Sequence, residues 1–361
     1  MKKRYSLPIA FISLIALFFL PIVPNSYAQT KNIPPQYDWA SSFSEGLASV
    51  EINGKDGFID KKGKMVIKPQ YGQAMGFSEG LSGVEIKGTY LWGFIDKKGK
   101  MVIKPQYHNV SSFSEGMAQV FLNGKQGYIN KSGKQVVKPQ FRWSSDFSEG
   151  LAAVDINGKK GFIDKTGKVK IKPQYDIVED FSEGRAVVAK LDKIGLGRYG
   201  VIDKNGKIII PLKYDDITSF SEGLASVMLN RQTGFIDTNG TYVIKPQDWR
   251  VATHGDRGFH NGLSKMLTGQ MFNEDLQFID KSGKTVFKVP NNYDDVESFS
   301  EGLAEVYIKG KFGFIDKTGA IKIKPQYTYV SSFTEGMAVV GTSSKNGDRY
   351  GYIVNPLKKS N

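Results

Sequence analysis

The chain has no cysteine, which excludes a disulfide scaffold, thiol catalysis and any cysteine-held metal. Histidine is scarce, with three residues in 361. After residue 20 no segment is apolar enough to cross a bilayer as a helix. Acids are outnumbered, 36 against 49 lysines and arginines, for a formal charge of +13. No nucleophile motif, phosphate-binding loop or zinc signature is present. Glycine is abundant instead: 40 residues, about 11% against an ordinary ~7%. Together with proline and aromatic residues, this composition points to short strands joined by turns rather than to long helices.

The first 28 residues read as an export signal. Lys2, Lys3 and Arg4 precede an apolar run from Leu7 to Leu20, broken by Pro21 and Pro24, and Ser26-Tyr27-Ala28 supplies small residues at a cleavage site. No cysteine follows to anchor a lipoprotein. The expected mature chain begins near Gln29, without a transmembrane segment, and is exported from a bacterial cell to the medium or the envelope. Losing the signal lowers the formal charge from +13 to +10.

Self-similarity dominates what remains. Phe-Ser-Glu-Gly recurs from Phe43, Phe77, Phe113, Phe147, Phe181, Phe220 and Phe299, with variants from Phe259 and Phe333. Gly-Phe-Ile-Asp recurs from Gly57, Gly93, Gly161, Gly234 and Gly313. Lys-Pro-Gln-Tyr ends at Tyr71, Tyr107, Tyr175 and Tyr327. After a lead-in over 29–36, nine units of about 34 residues fill 37–361, starting at 37, 71, 107, 141, 175, 214, 248, 293 and 327. No separate catalytic domain has room beside them, so the reading is a non-enzymatic scaffold with no cofactor.

Each unit reads as a β-meander. Leu47 to Ile52 alternates as a half-buried strand does, and Asn53-Gly54 follows as a type I′ hairpin turn. Gly57 to Asp60 forms the next strand. Asp60-x-x-Gly63 makes a tight turn in which the aspartate accepts a backbone N–H. Lys64 to Lys68 is the third strand, which Pro69 is expected to stop. The stretch from Tyr71 to Phe77 leaves space for a short fourth strand. The expected fold is all-β, with nine meanders stacked as an open β-superhelix or solenoid. The alternative is a closed β-propeller, against which stand the number of units and their shortness.

The recurring line F-S-E-G-L-A-x-V, then G-K-x-G-F-I-D-K-x-G-K-x-V-I-K-P-Q-Y, closely resembles the WG-repeat family of bacterial proteins from Tyr37 to Asn361. The Trp-Gly pair itself survives only at Trp92-Gly93. The resemblance implies β-rich repeats and an interaction role, and no catalytic residues.

Four residue sets are candidates for function. The glutamates of the Ser-Glu-Gly corners fall in a row, read as turn-fixing acceptors of backbone N–H groups, with Lys68, Lys104, Lys172, Lys245 and Lys324 as counter-charges. The recurring Phe and Tyr read as core rather than as an exposed ladder for polysaccharide. The turn lysines Lys61, Lys62, Lys64, Lys97, Lys98, Lys100, Lys131, Lys134, Lys165 and Lys168 form a basic stripe, either a solubility device or a surface for an anionic envelope polymer. The seventh unit, 45 residues long, carries Trp249, Arg250, His254, Asp256, Arg257 and His260 as a candidate recognition loop. Its spacing matches no metal signature. The expected partner is a protein or an anionic envelope polymer; nucleic acid suits the charge but not an exported chain. An enzyme acting on envelope glycans, with its site near the seventh unit, is the competing reading.

Overall fold

The computed structural model describes residues 31–251, 258–270, 273–345 and 347–358; the proposed signal lies outside them. The chain begins with β1 (Ile33–Tyr37). The first unit then contributes β2 (Trp39–Ala40), β3 (Leu47–Glu51), β4 (Asp56–Asp60) and β5 (Met65–Tyr71). β2 to β5 pair side by side in chain order, and the other units repeat the pattern to give nine small sheets. In the fourth unit the two-residue strand is reduced to a single bridge between Ser144 and Val154.

The turns follow from local chemistry. Asn53 and Gly54 both take positive φ, 53° and 69°, as a type I′ hairpin requires. The Asp60 side chain accepts the N–H groups of Lys62 and Lys64, each at 2.9 Å. The Ser-Glu-Gly corner is a second two-residue hairpin. Ser44 and Leu47 exchange both backbone bonds, while Glu45 and Gly46 sit at φ 52° and 84°. Glutamate rarely accepts a left-handed backbone, yet it does so at eight corners, and Asn261 does so at the corner of the seventh unit.

Pro69 does not stop its strand: β5 runs on to Tyr71. The ladder between β4 and β5 shifts register between Asp56 and Phe58, and the proline falls in that bulge on an edge strand, where its missing N–H is tolerated. The bulge explains the glycine of Gly-Phe-Ile-Asp. A Cβ on Gly57 would lie 2.5 Å from the Ile67 carbonyl oxygen and 2.6 Å from the Pro69 nitrogen. Where Gln277 replaces this glycine, the outer strand shrinks to Thr285–Lys288.

The expected open superhelix is wrong. β1 pairs with the last strand, Gly347–Val354, placing Ile33 opposite Tyr352 and Tyr37 opposite Tyr350. It thereby completes the sheet formed with Met337–Ser344 and Tyr329–Val330. The molecule is a closed nine-bladed β-propeller. Two-residue hairpins and a two-residue first strand let four strands fit in 34 residues. Residues 33–36 of the expected lead-in belong to the outer strand of the ninth blade. This pairing buries the two edges an open array would leave exposed.

The short strands form the inner edge. Ser44 Oγ donates to the Phe77 carbonyl at 2.6 Å, Ser78 to Phe113 and Ser148 to Phe181, so consecutive corners touch. Across the seam the Trp39 and Tyr329 rings lie 5.7 Å apart. Elements that touch their own counterparts in neighbouring blades occupy the smallest circle. The meander then sorts its connections onto two faces. One carries the Ser-Glu-Gly corners and the Asp-x-x-Gly turns. The other carries the Asn-Gly hairpins and the crossovers between blades.

The core lies between blades. Phe58 packs on Phe77 of the next blade with centroids 4.8 Å apart, Phe162 on Phe181 at 4.9 Å, and Tyr352 on Phe43 at 4.8 Å across the seam. Phe147 is 2% exposed, and Tyr71, Tyr107 and Tyr175 are buried. The recurring Phe and Tyr are core, as their repetition implied.

Candidate functional site

The corner glutamates bind neighbouring blades together. Glu45 accepts the N–H of Gly80 at 3.0 Å and the ammonium of Lys97 at 2.9 Å, both in the next blade. Glu79 does the same with Gly116 and Lys131, Glu115 with Gly150 and Lys165, and Glu149 with Gly184 and Lys204. Glu335 closes the circle on Gly46 and Lys61. At the joint after the seventh blade, Asn261 Oδ1 accepts the Gly302 N–H, and Lys317 Nζ donates to the Asn261 carbonyl. The row of glutamates is therefore a structural ring. The expected counter-charges were wrong: the turn lysine reaches the carboxylate, whereas Lys68 and its equivalents sit exposed on the outer strands. The Lys97 hydrogen bond, with the N–H groups of Gly80 and Glu79, holds the Glu45 carboxyl below its ordinary value. For Glu115, Glu149 and Glu335 partial burial pulls upward, and the lysine and N–H groups outweigh it.

This ring divides the candidate stripe in two. Lys61, Lys97, Lys131 and Lys165 are bonded to the preceding blade's glutamate. Lys62, Lys64, Lys98, Lys100, Lys134 and Lys168 are exposed, and among the described residues they form no ion pair. The turn aspartates also spend their charge internally. Asp164 and Asp280 are held low, first by the hydroxyls of Thr166 and Ser282 and then by backbone N–H groups. The corner glutamates and turn aspartates thus spend their charge in turns and joints. The first five blades and the seventh each turn at least one spare lysine outward, whereas the sixth has Thr238 and Thr241 in that turn and the eighth has Ala320. Closure bends the stripe into an arc on one face, interrupted at the sixth and eighth blades.

The candidate recognition loop does not assemble as a unit. Trp249 is half-buried and packs on the cluster of Phe235, Phe259 and Met266. Trp249 pairs with Thr268 and Val251 with Met266, which puts Trp249 one position out of step with Trp39. Arg250 is a strand residue opposite Leu267. His260 occupies the corner position held elsewhere by serine or, in the ninth blade, Thr334, and its backbone bonds to Leu263. His254, Asp256 and Arg257 lie outside the described residues.

One feature near this unit escaped the sequence reading. A cleft of about 520 Å³ lies beside the corner of the eighth blade, lined by His260, Asn261, Glu297, Glu305 and Ser332. Burial pushes the Glu305 carboxyl up to about 7, Ser332 Oγ donates to it at 2.9 Å, and Glu297 adds a like charge. The signal was faint: Glu305 stands where other units have Ser, Gly, Gln, Ala, Val or Lys in the same strand.

Comparison with known proteins agrees with the repeat pattern. The WG containing repeat model matches residues 30–55, 57–90, 92–125, 127–159, 161–193, 199–231, 234–247, 278–312 and 312–345. The chain belongs to the WG-repeat family. No curated protein matches it. Among solved structures, a eukaryotic initiation factor is similar at 13% identity, over 90% of this chain and 94% of that one, with a TM-score of 0.48. The V. cholerae biofilm matrix protein Bap1 is similar at 11% identity over 91% and 92%, with a TM-score of 0.34. Kluyveromyces lactis Hsv2 is similar at 9% over 88% and 96%, with a TM-score of 0.32. Among the described residues no helix is long and apolar enough to cross a membrane.

Proposed function

We propose that this protein is an exported, non-catalytic binding scaffold whose ligand is an anionic cell-envelope polymer. One observation carries the reading: the corner glutamates and turn aspartates are tied into joints and turns, while Lys62, Lys64, Lys98, Lys100, Lys134 and Lys168 remain exposed on one side of the ring. The potential on that face is then more positive than the net charge alone implies. Repeated weak contacts along an arc suit a flexible polyanion, whose affinity grows with length. Retention on immobilised poly(glycerol phosphate) at low and high salt tests it. Retention at low salt, lost as salt screens the lysines and reduced by Lys62→Gln, Lys64→Gln, Lys98→Gln and Lys100→Gln together, supports the proposal. No salt-sensitive retention would redirect the search to a protein partner.

A second reading, a glycan hydrolase, is favoured by the Glu305 carboxyl. A general acid needs a pKa near the working pH, and Glu297 offers a second carboxyl in the same cleft. Hydrolysis of an envelope glycan that Glu305→Gln abolishes would replace the scaffold reading; no turnover would leave Glu305 a half-buried structural acid.

A further inference from the structure

The crossover face differs between blades. In four of them an aspartate follows the outer strand and straps the blade's own hairpin. Asp38 accepts the N–H of Asn53 at 2.7 Å, Asp176 that of Leu191 at 3.0 Å, Asp215 that of Asn230 at 2.8 Å and Asp294 that of Lys309 at 2.7 Å. The fourth blade has Arg142 at this position. Its hairpin is held instead by its own Asp155, which accepts the Gly158 N–H at 3.0 Å. Gly72, His108, Trp249 and Thr328 also stand at this position in other blades, and beside Arg142 a cleft of about 610 Å³ lies between the hairpins of the third and fourth blades. That volume lies within the range of small-ligand sites.

The lining is both aromatic and cationic. Trp143 is 38% exposed, although large aromatics bury readily. Lys160 Nζ lies 4.9 Å from its ring centroid. Arg142 and Lys125 line the same cleft and are exposed. The cleft's only acid, Asp155, is bonded to its own hairpin. An exposed indole beside cations that form no ion pair among the described residues is complementary to a pyranose that carries a carboxylate. The sugar's C–H face packs on the indole, and its anion meets the guanidinium, whose fork suits a carboxylate.

We propose that this cleft binds a uronate residue of an acidic polysaccharide, with Trp143 as the stacking platform and Arg142 and Lys125 as the anion contacts. The proposal rests on the reading of the protein as a binder of anionic polymer, and it adds a sugar-reading site on the face opposite the turn lysines.

Calorimetry on the mature chain with hexagalacturonate, maltohexaose and linear polyphosphate tests it. Expected is binding of hexagalacturonate at one site, weakened roughly tenfold or more by Trp143→Ala and by Arg142→Ala. Trp39→Ala, on the inner edge of the first blade, leaves that binding unchanged. Both Trp143 and Arg142 are exposed, and circular dichroism confirms that each variant folds. Equal affinity for maltohexaose, or full binding by folded Trp143→Ala, overturns the site. Binding of polyphosphate without hexagalacturonate overturns the site and leaves the polyanion reading standing. Binding of neither polyanion removes both.

Discussion

The joint at Glu149 allows the glutamate ring to be tested by ordered substitutions. The Glu149 carboxylate accepts the Gly184 N–H at 3.0 and 3.1 Å and the Lys204 ammonium at 2.9 Å, with side-chain exposures of 28% and 45%. Alanine removes both bonds. A hydrogen bond to a charged group is worth about 1.5–3 kcal/mol and a half-exposed ion pair at most about 1 kcal/mol. Water reaches the freed N–H, so the expected total loss is about 2 kcal/mol. Alanine also keeps the left-handed backbone of φ 52° and its strain of about 1 kcal/mol. Glycine loses the same bonds and relieves the strain, so Glu149→Gly should cost about 1 kcal/mol less than Glu149→Ala. Glu149→Asn should fall below both, since Asn261 already supports its joint with a left-handed backbone and a single acceptor. Urea unfolding gives the order directly, as shifts in midpoint at constant slope. If Glu149→Ala matches wild type, or glycine is worse than alanine, the carboxylate is not what holds the blades together.

Further outcomes follow from the core and the titrating groups. Phe147→Ala should cost about 3–5 kcal/mol in the same assay, since the ring is buried against Tyr128 of the preceding blade; loss of sugar binding without loss of stability would place the ring on a ligand surface instead. Gly161→Ala should destabilise strongly, because its Cβ would lie 2.4 Å from the Ile171 carbonyl oxygen, and a neutral result would remove the bulge as the reason for that glycine. Glu305 titrates near 7 in the fold, above its unfolded value, so its contribution is full below the unfolded pKa and is lost as pH rises through 7. Glu305→Gln should therefore stabilise the protein at pH 8 relative to wild type and lose that advantage at pH 4; an equal effect at both would show that the carboxyl is not perturbed. The glutamates at the joints have depressed pKa values and act in the opposite sense. Their contribution is present above the unfolded carboxylate range and is lost as pH falls through their folded values.

What could be read from the sequence was local. Asn53-Gly54 and Asp60-x-x-Gly63 specify their turns through their own backbone and side-chain chemistry, and the recurring Phe and Tyr mark the core. What could not be read depended on the placement of distant segments. β1 is five residues long, and its partner lies more than 300 positions away. No periodicity in Ile33-Pro34-Pro35-Gln36-Tyr37 reveals that pairing, although the segment reproduces the Pro-Gln-Tyr ending of the outer strands. The two-residue inner strands are too short to alternate visibly. The lysine partner of each corner glutamate was misassigned because it comes from the next blade, a relation fixed only by how blades stack. At the candidate sites, the lysines were visible as residue types, but which were already bonded was not. The Trp143 cleft stayed hidden because it lies between two blades, and only their packing brings Lys125 beside Arg142 and Trp143.

Closure of the ring underlies everything else, and the cysteine-free chain makes it directly measurable. Ser42 and Ser331 lie 289 positions apart, and their hydroxyl oxygens are 3.4 Å apart across the seam. An open stack of units would separate them by roughly 100 Å, at three strand spacings per unit. In the double variant Ser42→Cys with Ser331→Cys, mild oxidation of dilute monomer should form an intramolecular disulfide, since the side chains already approach bonding distance. The product should be a monomer lighter by two hydrogens, faster on a non-reducing gel and without free thiol. Thiols that stay free, or that link only separate molecules, would contradict the closed propeller.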